Sequence, residues 1–271
     1  MGTLAVILIL VAVIVIVSYM FIIMPRCVEG ADMELVSTDY AHGGLWDDKI
    51  PKNSLSAFRL AADAGYGIEL CIQLSRDGKI VVFGDRSLKR ICGVDRRICD
   101  MTFDELRGLR LCGTQEIIPT LGEVLRLIDG RVPLMLEIRA DVKNNILCRK
   151  ASGMLDNYRG AFCVESPDPG ILAWFKEYRP RYARGQIFGN ELKSKRKGAF
   201  LRGFALSNLL FNFRSRPDFI VANMKCSRNL SFVLCTSLFR VKGFVRPVRT
   251  SAEYGKCRSE GRFAVFERFR P

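Results

Sequence analysis

Eight short apolar, β-branched runs separated mostly by amphipathic helical stretches, spread over about 240 residues, predict an α/β fold of the (β/α)8 barrel type. An uncharged stretch from Thr3 to Met24, dominated by Val, Ile and Leu, predicts a single transmembrane helix ahead of the barrel. As a helix it would run about 33 Å against a hydrocarbon core of ~30 Å, which is one crossing. A secretory signal would carry a basic start, a shorter apolar region and a small-residue cleavage site, and none precedes Pro25-Arg26. The reading is a retained signal anchor over 1–25, a short linker over 26–33 and one barrel domain over 34–271, with a cleaved signal peptide as the alternative.

The strand-like runs are Leu35–Ala41, Gly67–Leu74, Ile80–Phe83, Val132–Ile138, Phe162–Glu165, Tyr182–Ile187, Asp218–Ala222 and Gly243–Val248. Helical stretches are expected over Ser54–Ala64, Thr102–Gly108, Leu121–Ile128, Asn144–Leu155, Pro169–Tyr178 and Ser251–Arg258. Asn53 or Ser54 can cap the first of these and Gly65 can end it, while Pro119 or Thr120 opens the third and Gly130 follows it. A doubly wound sheet is the competing architecture. In a barrel the reacting groups stand at the carboxyl ends of strands, which directs attention to His42, Glu69, Cys71, Gly84, Asp85, Glu137, Arg139 and Glu165. Period-two alternation puts Glu69, Cys71 and Gln73 on one face of their strand, opposite Ile68, Leu70 and Ile72.

The formal net charge of +14 is unevenly placed: residues 1–142 stand at −3 and residues 143–271 at +17. On a membrane-tethered domain, a run such as Lys193-Ser194-Lys195-Arg196-Lys197 is attracted to anionic lipid headgroups. A merely solvated basic face is the plainer reading. Nucleic acid is an unlikely partner, because no finger, basic-helix or aromatic-interleaved pattern accompanies the basic residues. Ten cysteines lie scattered without a Cys-x-x-Cys pair, which argues against a zinc knuckle or disulfide scaffold and favours a reducing side of the membrane for the domain. The charges flanking the anchor leave orientation open.

Motifs in order along the chain carry a family resemblance. They include Ala41-His42-Gly43-Gly44, Pro51-Lys52-Asn53-Ser54, Ala64-Gly65-Tyr66-Gly67-Ile68-Glu69-Leu70, Ser75-Arg76-Asp77-Gly78-Lys79 and Val81-Val82-Phe83-Gly84-Asp85. Ile118-Pro119-Thr120-Leu121, Leu134-Met135-Leu136-Glu137-Ile138-Arg139, Val164-Glu165-Ser166 and Arg216-Pro217-Asp218-Phe219-Ile220 continue the series. On these segments the chain resembles the glycerophosphodiester phosphodiesterase family, whose members are (β/α)8 barrels. The resemblance implies metal-dependent hydrolysis of a glycerophosphodiester to glycerol phosphate and an alcohol, with two histidines as acid and base and a divalent metal such as Mg²⁺ or Ca²⁺. It implies a glycerophosphodiester or phospholipid headgroup as ligand.

Carried over residue by residue, the resemblance makes His42, the only histidine of the chain, the first catalytic histidine, and Glu69 and Glu137 metal-binding carboxylates. Arg139 stands where a family Lys commonly lies and keeps a cation for phosphate. Other positions depart from the pattern. Gly43 replaces a phosphate-gripping Arg, Lys52 replaces a Glu, and Cys71 replaces a metal-binding carboxylate, leaving a doubtful ligand because hard cations prefer oxygen. Gly84 replaces the second histidine. Arg246 stands where many members carry an aromatic residue, which alters the rim of the site. Plainer readings stand beside these: His42 as a turn or core residue, Glu69 and Glu137 as barrel-core carboxylates paired with Arg139, and Cys71 as a new nucleophile. Two functions follow: a membrane-bound phosphodiesterase with impaired or lost hydrolysis, or a pseudoenzyme that binds anionic lipid headgroups or acts as a membrane scaffold.

Overall fold

In the computed structural model, which describes residues 2–26, 35, 37–139, 144–189 and 199–271, eight parallel strands close a barrel. They are β1 (Tyr40–His42), β2 (Gly67–Leu74), β4 (Leu134–Ile138), β5 (Phe162–Ser166), β6 (Arg184–Phe188), β7 (Phe219–Asn223), β8 (Lys242–Val248) and β9 (Phe263–Phe266). Each pairs with the next, and β9 returns to β1. Outside them run α1 (Thr3–Ile23), α2 (Leu55–Asp63), α3 (Lys89–Cys92), α4 (Phe103–Arg107), α5 (Leu121–Ile128) and α6 (Asn144–Leu155). The series continues with α7 (Pro169–Tyr178), α8 (Ala199–Ser207), α9 (Asn212–Ser215), α10 (Leu230–Ser237) and α11 (Ser251–Ser259). The basic run Lys193–Lys197 lies outside the described residues.

One expected strand has a different place. Ile80–Val82 forms β3, which pairs antiparallel with β2 as a hairpin and takes no part in closure. The eighth barrel strand is instead Phe263–Phe266, a four-residue run too short to show a period. It is apolar throughout because both its faces are buried: Val265 joins the barrel interior, while Ala264 and Phe266 pack under the helices.

Local chemistry sets the helix starts. Ser54 Oγ accepts from the Ala57 amide, Thr120 and Glu123 form a reciprocal capping box on α5, and Asn229 Oδ1 accepts from the Ser231 amide to open α10. The lower barrel is an apolar plug that includes Tyr40, Met135, Cys163, Phe219, Val221 and Phe244. It closes tightly at Gly185, where a Cβ would lie 2.1 Å from the Phe219 ring. An apolar plug below leaves the upper layer of the barrel interior to polar side chains, which places its chemistry at the mouth.

Helix α1 is exposed along most of its length, and its last turns dock on the barrel. Ile23 is buried, Asn212 Nδ2 donates to its carbonyl at 2.8 Å, and Arg216 donates to the carbonyls of Phe21 and Met24.

Candidate functional site

Strand register brings the expected residues to one level. His42 stands opposite Glu69, Cys71 opposite Glu137, and Glu137 opposite Glu165 on successive strands. All of these except Glu165 line a cleft of about 290 Å³ at the carboxyl ends of the strands, together with Lys52, Gly84, Arg139 and Arg246. One oxygen each from Glu69, Glu137 and Glu165 falls within 4.8 Å of the others, which is the spacing of a metal-binding triad.

A side chain of the protein fills that triad. Arg246 Nη1 lies 3.1 Å from Glu69 Oε1, 2.9 Å from Glu137 Oε2 and 3.2 Å from Glu165 Oε1. Arg246 reaches these carboxylates across the barrel from β8, where pairing with β9 shifts register between Val245 and Val248. An irregularity of this kind re-aims a side chain. The expectation that Arg246 belongs to the rim is therefore corrected: it occupies the centre.

The divalent metal implied by the resemblance does not fit beside this group. Mg²⁺ and Ca²⁺ need carboxylate oxygens at about 2.0–2.6 Å, and the point equidistant from the three oxygens is taken by a nitrogen with its own charge. Burial by itself raises the Glu137 carboxyl, but Arg246 and Arg139 outweigh it and bring it to about 2. Glu165 is raised well above the ordinary carboxylate range, chiefly by burial, with Glu69 and Glu137 adding to the push and Arg246 opposing it. Arg246 is itself held protonated, because the carboxylates outweigh its burial.

Cys71 is poorly suited to replace a carboxylate ligand. Burial and the neighbouring Glu137 push its thiol well above the ordinary value, so it stays neutral and is a poor nucleophile as well as a poor donor to a hard cation. The third carboxylate of the cluster is Glu165, which the carboxyl-end argument marks without assigning it a role. Arg139 donates to Glu137 through Nε and Nη2 at 3.1 and 2.7 Å, and through Nη1 to the carbonyl of Gly84. It lines the cleft as expected, with part of its charge committed to Glu137.

His42 is held from two sides. Its Nδ1 lies 2.8 Å from Glu267 Oε2 and its Nε2 lies 3.3 Å from Glu69 Oε2. Glu267, just beyond β9, also accepts from Lys52 Nζ at 3.2 Å and from Arg249 Nε at 2.8 Å. Burial alone would raise Glu267, yet His42 and Lys52 hold it well below the usual carboxylate range. Sequence reasoning missed this residue because it missed the strand that presents it. The signal available was the apolar Phe263–Phe266 run ending in an acid.

Lys52 takes space that a side chain at residue 43 would need. Gly43 has φ +73, and a Cβ there would lie 2.4 Å from Lys52 Cγ. The Lys52 ammonium supplies a cation to the cleft beside this glycine. At Gly84 the situation differs: a Cβ would meet only Asn53 Nδ2, at 3.2 Å. The position of the second histidine is open, and among the described residues no other imidazole faces His42.

Comparisons with known proteins agree with this architecture. Residues 46–191 match the glycerophosphoryl diester phosphodiesterase family. A glycerophosphodiester phosphodiesterase of Bacillus altitudinis is 36% identical over 155 residues, covering 52% of this chain and 62% of the relative. One from Caldanaerobacter subterraneus is 35% identical over 113 residues, covering 38% of this chain and 45% of the relative. The chain thus spans roughly half the length of these curated relatives. A solved Oleispira antarctica phosphodiesterase, in complex with the product sn-glycerol-3-phosphate, superposes with a TM-score of 0.68 at 22% identity, covering 84% of this chain and 91% of that one. At that identity the likeness is one of fold. A Thermotoga maritima glycerophosphodiester phosphodiesterase gives 0.63 at 25% identity, covering 85% and 93%. With more than half of the chain matched and the family's barrel reproduced, the chain belongs to the glycerophosphoryl diester phosphodiesterase family.

Proposed function

We propose that the chain is a single-pass, membrane-anchored barrel that binds a glycerophosphoryl headgroup at its mouth without hydrolysing it by the family's metal-dependent reaction. The observation that carries this reading is the Arg246 guanidinium inside the Glu69, Glu137 and Glu165 cluster, at hydrogen-bonding distance from all three. A cation is still supplied there, so the carboxylates remain balanced, but a guanidinium offers no open coordination position to polarise a phosphoryl oxygen or acidify water. The open position at Gly84 removes the acid-base partner of His42. Such a partner contributes about 10²–10⁴ in rate.

Binding asks for less than catalysis. Lys52, Arg90 and Arg139 line the cleft with His42, and cations of this kind hold a phosphate by charge-assisted hydrogen bonds without any metal. The Oleispira neighbour carries sn-glycerol-3-phosphate, and the same chemical class is the ligand proposed here. A residual hydrolase is the second reading, favoured by His42 lining the cleft with the Glu267 carboxylate 2.8 Å from its Nδ1, a neighbour that can orient the imidazole for acid-base chemistry at Nε2.

The deciding experiment uses the full chain in maltoside micelles. Calorimetric titration with sn-glycerol-3-phosphate in EDTA should show saturable binding, while glycerophosphocholine with Mg²⁺, Ca²⁺ or Zn²⁺ should release no glycerol phosphate. Turnover that His42→Ala abolishes would overturn the reading in favour of the hydrolase.

A further inference from the structure

The anchor helix has a direction relative to the barrel. Tyr19 Oη lies 2.8 Å from Ser231 Oγ, and four residues on the Ile23 carbonyl accepts from Cys235 Sγ at 3.4 Å. Both pairs are separated by 212 residues, so α1 and α10 run side by side and parallel. Helix α10 follows β7 and leads toward β8, and a helix in that place runs from the mouth of the barrel to its base. The end of the docked segment agrees: the Arg26 amide donates to the carbonyl of Pro217, just before β7, and its guanidinium to Pro180, before β6. The chain therefore descends from mouth to base between Tyr19 and Arg26, and residues 3–18 project beyond the mouth.

Length then fixes how close the mouth comes to lipid. Residues 3–18, almost all exposed, supply about 24 Å of helix against a hydrocarbon core of ~30 Å. Several ångströms of the span must come from the half-buried turn that already touches α10. That draws the rim of the barrel into the headgroup layer, because leaving apolar helix short of the core costs free energy for every ångström of mismatch. What stands on the rim fits the location. Leu230, the first residue of α10, is 64% exposed, and Phe200 and Leu201 of α8 are 65% and 75% exposed. Helix α8 is on the mouth side, since its Ser207 carbonyl accepts from Asn229, the cap of α10, and its Arg202 lines a cleft with Arg139 and Arg246. Lys225 and Arg228, on the loop between β7 and α10, are exposed cations at the same level. Apolar exposure alone would not decide the matter, because Leu238 is exposed at the base end of α10. The direction of α1 does.

We propose that the mouth of the barrel faces the bilayer that α1 spans, and that the cleft takes the phosphodiester headgroup of a lipid still resident in the adjacent leaflet. This rests on the headgroup-binding reading above and adds the source of the headgroup. Residues Phe200, Leu201 and Leu230 dip into the interface beside the anchor, and the nearby cations meet lipid phosphate.

Two measurements test it on the full chain. In nanodiscs whose lipids are brominated on the acyl chains, tryptophan emission added by Leu201→Trp or Leu230→Trp, above that of the native chain, is quenched, and emission added by Leu238→Trp is not. Quenching at the base site only, or at none, overturns the orientation. Separately, the dissociation constant for sn-glycerol-3-phosphate rises by about tenfold or more from maltoside micelles to nanodiscs of phosphatidylglycerol, because a headgroup held in the same disc competes at millimolar effective concentration. An unchanged constant overturns the lipid source. No binding in micelles refutes the headgroup reading itself, while the quenching pattern still reads the orientation.

Discussion

At the residue scale, Arg246 separates this site from a metal centre, and its removal has two consequences of opposite sign. Arg246→Met keeps much of the side-chain length but leaves three buried carboxylates without their shared cation. Breaking a buried ion pair from one side costs about 3–5 kcal/mol, so the variant should melt well below the native chain in EDTA. The same variant opens the space among three oxygens spaced for a metal, so Mn²⁺ or Ca²⁺ should raise its melting temperature while leaving that of the native chain unmoved. Scanning calorimetry in micelles with and without metal checks both. An equal metal-dependent rise in the native chain would show that Arg246 does not hold the position.

Protonation acts on the same cluster. The Glu137 carboxyl is depressed from 4.5 to about 2, so it contributes stability that is fully present above pH 4.5 and is lost as pH falls through about 2. Glu267, also depressed, acts in the same direction. Glu165 has the opposite sign, because a raised carboxyl is easiest to accommodate when protonated and weighs against the fold as pH rises above 4.5. Unfolding should therefore become easier between pH 4.5 and pH 2, and Glu137→Gln should flatten that part of the profile.

At the scale of elements, the sequence displays whatever is periodic and hides what depends on a distant neighbour. Strand β2 and helices α2, α5 and α7 match their expected spans closely, because each carries a cap or an alternation of its own. Strand β3 reads as a strand correctly, yet only pairing reveals that it folds back antiparallel on β2, and β9 is too short to show a period. The docking of α1 is likewise invisible in a uniformly apolar helix, where nothing distinguishes Ile23 from its exposed neighbours. Ile23 is fully buried with Phe188, Leu209, Ile220 and Phe232. Ile23→Ala should cost about 2–4 kcal/mol by the transfer and cavity terms. The informative readout is limited proteolysis: the variant should be cut after α1 faster than Ile14→Ala, whose exposed site makes no such contact. Equal cutting rates would mean that the last turns of α1 do not hold the barrel.

At the scale of the whole molecule, the site is a meeting of seven strands, and its departures from the family compensate one another across the barrel. Strand-end arguments and motif order point to His42, Glu69, Glu137 and Arg139, and the fold brings these four to one cleft. Arg246 lies 177, 109 and 81 residues from the three carboxylates it joins, so no local pattern could pair them. If the internal cation, the open Gly84 position and the neutral Cys71 thiol form one linked change, undoing any one of them should fail. Cys71→Asp alone adds a carboxylate to a cluster in which burial already pushes Glu165 well above the ordinary carboxylate range, and Gly84→His alone returns an acid-base partner without a metal. Arg246→Phe alone offers a metal site lacking the second imidazole. Together, Arg246→Phe, Cys71→Asp and Gly84→His reconstruct metal ligands and both histidines, and a Cβ at residue 84 meets only Asn53 Nδ2, at 3.2 Å. Gly43 is best left unchanged, because its φ of +73 and the Lys52 side chain against it disfavour an Arg there. The triple variant should release glycerol phosphate from glycerophosphocholine in a metal-dependent, EDTA-reversible manner, with each single variant and the native chain at background. Turnover in a single variant would show that the changes are independent, and a triple variant that folds and binds metal yet stays silent would place the missing chemistry at Gly43 or Lys52, the departures it leaves unchanged.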